Sequence, residues 1–338
     1  MATRLTIPVP DDFVLSRDVC SYGYFILAPN HWNVRTQTLA RVLHLADGPA
    51  KLTLAQQAIE APPRAPATNG DATHLFFPHR PGAPLRALFD RALSAPERRE
   101  ARAQIARMLR LDEDASHAAA FHALDPRWKA SGRCRLFRSP TLFEDVVKTV
   151  TSCNVTWPST VNMNRRLCEV LGKGGAFPTP LRMARARPAT LRARYRVGYR
   201  DQRMVELASL FLPRAKRPPE VDEAWLTDPA TPDDDVFKFL KSLPGIGPYA
   251  AGNIMMLLGR YSRLALDTES LRHGKTILGY KGADAAIMKK LAAHYEPFGP
   301  FKFKSYWFEL WDFYEAKRGY SHNWDRDEVA KTFTASQF

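Results

Sequence analysis

The run Leu243-Pro244-Gly245-Ile246-Gly247-Pro248-Tyr249-Ala250-Ala251, followed by a further apolar segment and then Leu264-Ala265-Leu266-Asp267, constrains this chain more than any other stretch. Two glycines bracket Ile246 in a tight turn, where missing Cβ atoms permit positive φ and let backbone N–H groups approach an anion closely. Pro248 suits the first position of the next helix, because its absent N–H would have been unpaired there anyway. The turn therefore opens a helix whose positive N-terminus faces the same anion. Upstream, Thr231-Pro232 followed by Asp233, Asp234 and Asp235 reads as a helix start with a hydroxyl cap, proline inside and acids in the first turn. Val236, Phe239, Leu240 and Leu243 then share one face. Downstream, Tyr249, Ile254, Met255, Leu257 and Leu258 form an apolar helix that stops at Gly259. The pattern is helix, Gly-x-Gly hairpin, helix, with a carboxylate, Asp267, behind it.

The chain of 338 residues, 45% of them hydrophobic, can bury a sizeable core divided into two subdomains. Lys and Arg outnumber Asp and Glu by 49 to 35, a net charge of +14 that favours a polyanionic partner. Cys20, Cys134, Cys153 and Cys168 are scattered without a Cys-x-x-Cys pair, so neither a zinc site nor a disulfide framework is expected. His31, His273, His294 and His322 show no metal-ligand spacing. No apolar run approaches the roughly 20 residues that span a bilayer, and Met1 to Pro10 lacks the apolar core of a signal peptide. No membrane partner is expected, and the location expected is cytoplasmic and nucleoid-associated.

Residues up to about Gln56 alternate in the manner of strands: Tyr22, Tyr24 and Ile26, then Leu39, Val42, Leu43 and Leu45, a turn at Asp47-Gly48-Pro49, and Lys51-Leu52-Thr53-Leu54. An antiparallel sheet is expected there. Ala61 to Thr73, rich in Pro, Ala and Gly, reads as a surface loop, and Pro213 to Glu223 as a loop between helices. From about Ala95 the pattern is helical, with Ala103, Ile105, Met108 and Leu109 on one side of an Arg-rich helix. The fold class expected is α+β and mainly α: an antiparallel β subdomain over 1–94, then an all-helical, two-lobed domain over 95–338 with its hairpin at 243–249.

Hairpin, helix, apolar spacer and aspartate in that order resemble the helix-hairpin-helix superfamily of DNA glycosylases, in particular 8-oxoguanine glycosylase and 3-methyladenine glycosylase II. The resemblance is specific from roughly Ser139 to Gly279 and architectural before that. It implies an active cleft between two helical lobes. No cysteine follows Cys168, which excludes the members that carry an iron–sulfur cluster. In relatives the hairpin carbonyls hold a structural monovalent cation, a question the sequence leaves open here; no other cofactor is expected.

The resemblance makes Asp267 the catalytic carboxylate. A fixed carboxylate in a poorly solvated cleft stabilises the sugar cation that develops as a glycosidic bond breaks, and can orient or deprotonate the attacking water. The same residue can cap the helix Thr268 to Ile277. In bifunctional members a lysine, second after the hairpin's last glycine, attacks the sugar and forms a Schiff base. Here that position is Tyr249, and no lysine lies between Lys241 and Lys275, so water is the expected nucleophile. Tyr249, Asn253, Tyr306 and Leu310 fall at positions that line the base pocket, the last two on an aromatic helix running from Phe303 to Phe313. An electron-rich cage favours a cationic, alkylated base. Asn154 matches the asparagine that fills the hole left by the flipped nucleotide, with a helix cap as its plainer role; Ser159 replaces the family's arginine a little further on. In Gly198-Tyr199-Arg200 the resemblance implies that Tyr199 wedges beside the opposite base and Arg200 contacts it. Gly245 and Gly247 would grip the DNA backbone, and Arg192, Arg194, Arg196 and Arg203 suit phosphate contacts.

The function expected is a monomeric, monofunctional DNA glycosylase acting on double-stranded DNA that contains a damaged base. Alkylated purines come first and oxidised purines second. The alternative from another class is a non-catalytic DNA-binding protein that uses the hairpin only as a phosphate clamp.

Overall fold

The computed structural model describes residues 1–59, 77–113, 115–214 and 217–332. The loop expected at 61–73 lies outside them, as do residues 215–216 of the loop expected at 213–223. Strands β1 (Arg4–Ile7), β2 (His31–Asn33), β3 (Thr38–Leu45), β4 (Gly48–Ala55) and β5 (Leu85–Phe89) form one antiparallel sheet of order β1-β5-β4-β3-β2. Along β3 the burial alternates residue by residue, as a sheet with one covered face requires. The β3–β4 hairpin pairs Leu45 with Gly48, so Gly48 and Pro49 already belong to β4. Between β1 and β2, the segment carrying Tyr22, Tyr24 and Ile26 is not a strand. It forms the short helix α1 (Leu15–Val19) and a 3₁₀ turn at Gly23–Phe25. All three side chains are buried, so their alternation reflects burial on every side of a tight turn.

Helices α2 (Ala95–Leu109) and α3 (Ala115–Leu124) follow. Ser94 and Glu97 close a capping box at the start of α2. Next come α4 (Leu142–Ser152), α5 (Trp157–Arg166), α6 (Pro180–Ala184), α7 (Pro188–Tyr195), α8 (Asp201–Leu210) and α9 (Glu223–Thr227). The hairpin pair is α10 (Asp233–Ser242) and α11 (Pro248–Leu258), and the chain continues through α12 (Thr268–Thr276), α13 (Asp284–Tyr295), α14 (Lys302–Arg318) and α15 (Arg326–Thr332). At α10 the N-cap is Pro232, not Thr231, and no side chain caps the helix. Asp233 and Asp234 instead pair with Arg260 and Arg263.

Two hydrophobic cores result. One gathers the covered face of the sheet, α2, α3 and the aromatic helix α14. The other is built from α4 to α10 and most of α11. Strand gives way to helix near residue 94, but the cores do not divide there, because α2, α3 and α14 share the core of the sheet. Helix α11 belongs to both: Ala250, Ala251, Ile254 and Met255 enter the second core, Met256 and Leu257 the first. Its C-terminal carbonyls are capped from the sheet lobe. Arg110 donates to Met256 O (2.6 Å) and Leu257 O (3.2 Å), and Arg138 donates to Leu257 O (2.9 Å). Cations there complement the negative end of the helix.

The lobes are also joined by buried ions. Arg41, on the covered face of β3, pairs with Glu144 of α4 at 2.9 Å, and Arg107 of α2 pairs with Asp145 of α4 at 2.7 Å. Past α14 the chain returns to the sheet: Trp32 Nε1 donates to His322 O at 2.8 Å, and Trp324 and Val329 are buried in the first core. Residues 333–338 lie outside the described residues.

Candidate active site

The hairpin is fixed by a single turn bond, Ile246 N–H to Leu243 O (3.1 Å), with Ile246 buried in the second core. Gly245 takes the left-handed conformation expected of it (φ +80°). Gly247 does not: its φ of −90° and ψ of −179° are extended backbone open to any residue. What the missing Cβ leaves at Gly247 is open space, with no heavy atom within 4 Å of where it would stand. No side chain caps α11, so its first N–H groups are left for an anion.

The apolar spacer after α11 delivers Asp267 to the N-cap of α12. Asp267 Oδ1 accepts the N–H of Ser270 (3.0 Å) and its hydroxyl (3.2 Å), while Asp267 N–H donates back to Ser270 Oγ (3.1 Å). A serine three residues after a capping aspartate was a readable signal of this box. Burial pushes the Asp267 carboxyl above its usual range; the Ser270 N–H and hydroxyl pull it back, and neighbouring Glu269 adds to the rise. The carboxylate is thus held by few donors in a poorly solvated place.

Asp267 stands where two concavities meet. The inner one is a cavity of about 350 Å³ between the lobes, within the range of about 300–1,000 Å³ usual for small-molecule sites. Tyr249, Asn253, Tyr306 and Leu310, all expected here, do line it together with Asp267. Sequence reasoning missed Tyr22, Tyr24, Trp157 and Glu269. Trp157 is seated because Gly23 has no side chain; a Cβ there would stand 3.0 Å from the indole. The Tyr22 ring lies 4.7 Å from that of Trp307, which stacks on Trp311 at 5.5 Å. At the floor, Tyr22 OH donates to Asn253 Oδ1 (3.3 Å). Burial, before the charge of Asp267, raises the Tyr249 phenol above its usual range and keeps it neutral. Glu269 is held by Arg272 Nη2 (2.9 Å) and by the hydroxyl of Tyr314. Tyr306 differs from its expected role in one respect, since its hydroxyl bonds Ser270 Oγ at 2.9 Å.

The outer concavity is an open groove of about 1050 Å³ that runs from the hairpin to Tyr199 and shares Ser152, Tyr249 and Asp267 with the cavity. Arg203 and Lys241 line it, and Asp267 is the only carboxylate among its lining residues. Asn154 is exposed at its edge. It follows Cys153, the C-cap of α4, in a left-handed conformation (φ +52°) that asparagine tolerates. Asn154 Nδ2 reaches Tyr199 OH at 3.5 Å. Tyr199 is 56% exposed, with the Arg200 guanidinium 4.5 Å from its ring centroid. Arg200 departs from expectation. It is only 4% exposed, and its guanidinium donates to Val150 O (3.0 Å), Val197 O (3.3 Å) and Cys153 O. Those donors are spent on the backbone around Asn154 and Tyr199, so Arg200 fixes the loops that present them rather than reaching a base.

No family model and no curated protein matches the sequence. Solved structures do match across nearly the whole chain. The 3-methyladenine DNA-glycosylase from Archaeoglobus fulgidus superposes with a TM-score of 0.58 at 14% identity, covering 98% of this chain and 100% of that one. MBOgg1 in complex with a low-affinity DNA ligand gives 0.61 at 16% identity, covering 94% and 96%. The 8-oxoguanine glycosylase/lyase of Clostridium acetobutylicum gives 0.56 at 14% identity in its apo form, covering 85% and 92%. The chain shares the fold of these DNA glycosylases.

Proposed function

We propose that this chain is a DNA glycosylase that flips a damaged purine out of duplex DNA and hydrolyses its N-glycosidic bond with water, leaving the strand uncut at an abasic site. The observation that carries this reading is the desolvated Asp267 carboxylate at the junction of a cation-lined groove and an aromatic cavity. Phosphates of the damaged strand would bind the open N-terminus of α11, and the base would turn into the cavity at an unstacking cost of a few kcal/mol. As the bond from C1′ to the base nitrogen breaks, positive charge gathers on the sugar, and a fixed carboxylate beside it lowers the barrier. The oxygen of a water then bonds C1′ while Asp267 accepts a proton.

Two features support water rather than a covalent amine. Tyr249 occupies the position where a lysine would attack, and no lysine is among the residues lining the cavity. A neutral phenol cannot form an imine. Trp307, stacked on Trp311 and met at a tilt by the Tyr22 ring, gives the cavity an electron-rich wall that favours a base carrying positive charge, which supports alkylated purines. Asn154 and Tyr199, joined at the edge of the groove, support a second reading with oxidised purines. A DNA-binding protein without activity would need neither the cavity nor a half-buried carboxylate within it.

Asp267→Asn tests the reading, since asparagine caps a helix about as well as aspartate. Base release should fall by about 10²-fold or more, while binding to duplex DNA in a gel-shift assay persists. Undiminished release would rule out the chemistry assigned to Asp267.

A further inference from the structure

Behind Asp267 a chain of hydroxyl groups leads back into the cavity wall. Ser270 Oγ has one proton to donate and two lone pairs. One lone pair takes the N–H of Asp267 (3.1 Å). Two contacts remain, Asp267 Oδ1 at 3.2 Å and Tyr306 OH at 2.9 Å. An ionised carboxylate only accepts, so the serine proton goes to Oδ1. The Tyr306 hydroxyl must then donate to the second lone pair, and the direction of the chain is fixed as Tyr306 to Ser270 to Asp267. Both hydroxyl-bearing residues are buried, and the Tyr306 ring is wedged against His273 at 5.3 Å and Tyr295 at 5.5 Å.

We propose that Tyr306 and Ser270 form a relay of hydroxyl groups that orients Asp267 and holds it in the ionised form its chemistry requires, making both of them positioning residues. The inference rests on the catalytic reading of Asp267. A hydroxyl that accepts a strong bond becomes a better donor, so the phenol acts on the carboxylate through the serine. The same ring lines the cavity, and a base seated there would exclude water from the relay. Around the carboxylate stand Glu269 on its own helix, Tyr306 on α14, Tyr249 on α11, Cys153 at the end of α4 and Tyr22 in the N-terminal turn. None of these carries positive charge, which leaves donated hydrogen bonds as the opposition to desolvation.

Two measurements on the full chain test this. The Asp267 carboxyl is titrated by ¹³C NMR in wild type, Tyr306→Phe, Ser270→Ala and the double variant. Each single change removes a donor from the relay, so the carboxyl should titrate higher by about 0.5–1 pH unit, and the double variant should match Ser270→Ala alone. No shift in Tyr306→Phe, or a shift that persists unchanged in the Ser270→Ala background, would overturn the relay. In parallel, single-turnover release is followed against pH on duplexes carrying 7-methylguanine or 8-oxoguanine. The acidic limb should move up by the same amount in Tyr306→Phe; a limb that stays in place overturns the catalytic part of the proposal. Should wild type release neither base, the alkylated- and oxidised-purine assignments fall, and the NMR titration still decides the relay.

Discussion

Capping and chemistry do not compete at Asp267. The bonds that cap α12 fall on Oδ1, and a carboxylate offers about four lone-pair sites. The same economy operates at Tyr199 and Arg200, which the sequence presents as one motif and the structure separates by burial. Arg200→Ala would leave the carbonyls of Val150, Cys153 and Val197 short of partners, at a cost of about 1–3 kcal/mol in urea unfolding. Tyr199→Ala, at an exposed position, should change stability by no more than about 0.5 kcal/mol yet slow base release from duplex DNA. Equal destabilisation by the two changes would contradict the division of labour between them.

Helix α11 is the element on which the site depends, and its two ends were unequally legible. Its start is local turn chemistry, Gly245, Gly247 and Pro248 in sequence, and the hairpin stands where those residues put it. Its stop at Gly259 was readable too. The arginines that cap its far carbonyls come from residues 110 and 138, and no local pattern announces a contact across so many residues. The cavity shows the same split. Tyr249, Asn253 and Asp267 lie where the resemblance is specific, Tyr306 and Leu310 on the aromatic helix beyond that stretch, and they converge. Tyr22 and Trp157 reach the cavity only through tertiary packing. The Tyr22 segment moreover alternates like a strand while folding as turns, because burial on all sides of a 3₁₀ turn leaves no period to read. Thr231 failed as a cap for a more local reason, since the extended Pro232 already occupies the N-cap position.

At the scale of the molecule, the cavity exists because two cores meet across α11, and buried ions tie elements together both across the lobes and within the sheet lobe. Glu113 follows α2 and lies 3.0 Å from Lys304 of α14, with Arg110 at 3.4 Å. Burial alone would raise its carboxyl, but the Lys304 and Arg110 charges outweigh burial and hold it at about 2, against an ordinary value of 4.5. A folded value below the unfolded one means that Glu113 stabilises the fold fully above about pH 4.5 and that this contribution is lost as pH falls towards 2. The urea midpoint should therefore drop across that window, and Glu113→Gln should be less stable at neutral pH with a flatter acid dependence. An unchanged acid dependence in the variant would assign the loss to other carboxylates.

The central claim, hydrolysis at Asp267 without a covalent amine, is tested most directly on duplexes that each carry one lesion: alkylpurine, 8-oxoguanine, uracil, 5-hydroxymethyluracil or hypoxanthine. Each is incubated with the purified protein and resolved with and without hot alkali. The account predicts strand breaks from the alkylpurine duplex only after alkali, and no adduct trapped by borohydride. Breaks without alkali, or a trapped adduct, would reveal an amine nucleophile and contradict it; tight binding with no base released from any duplex would leave the hairpin as a clamp on DNA and nothing more.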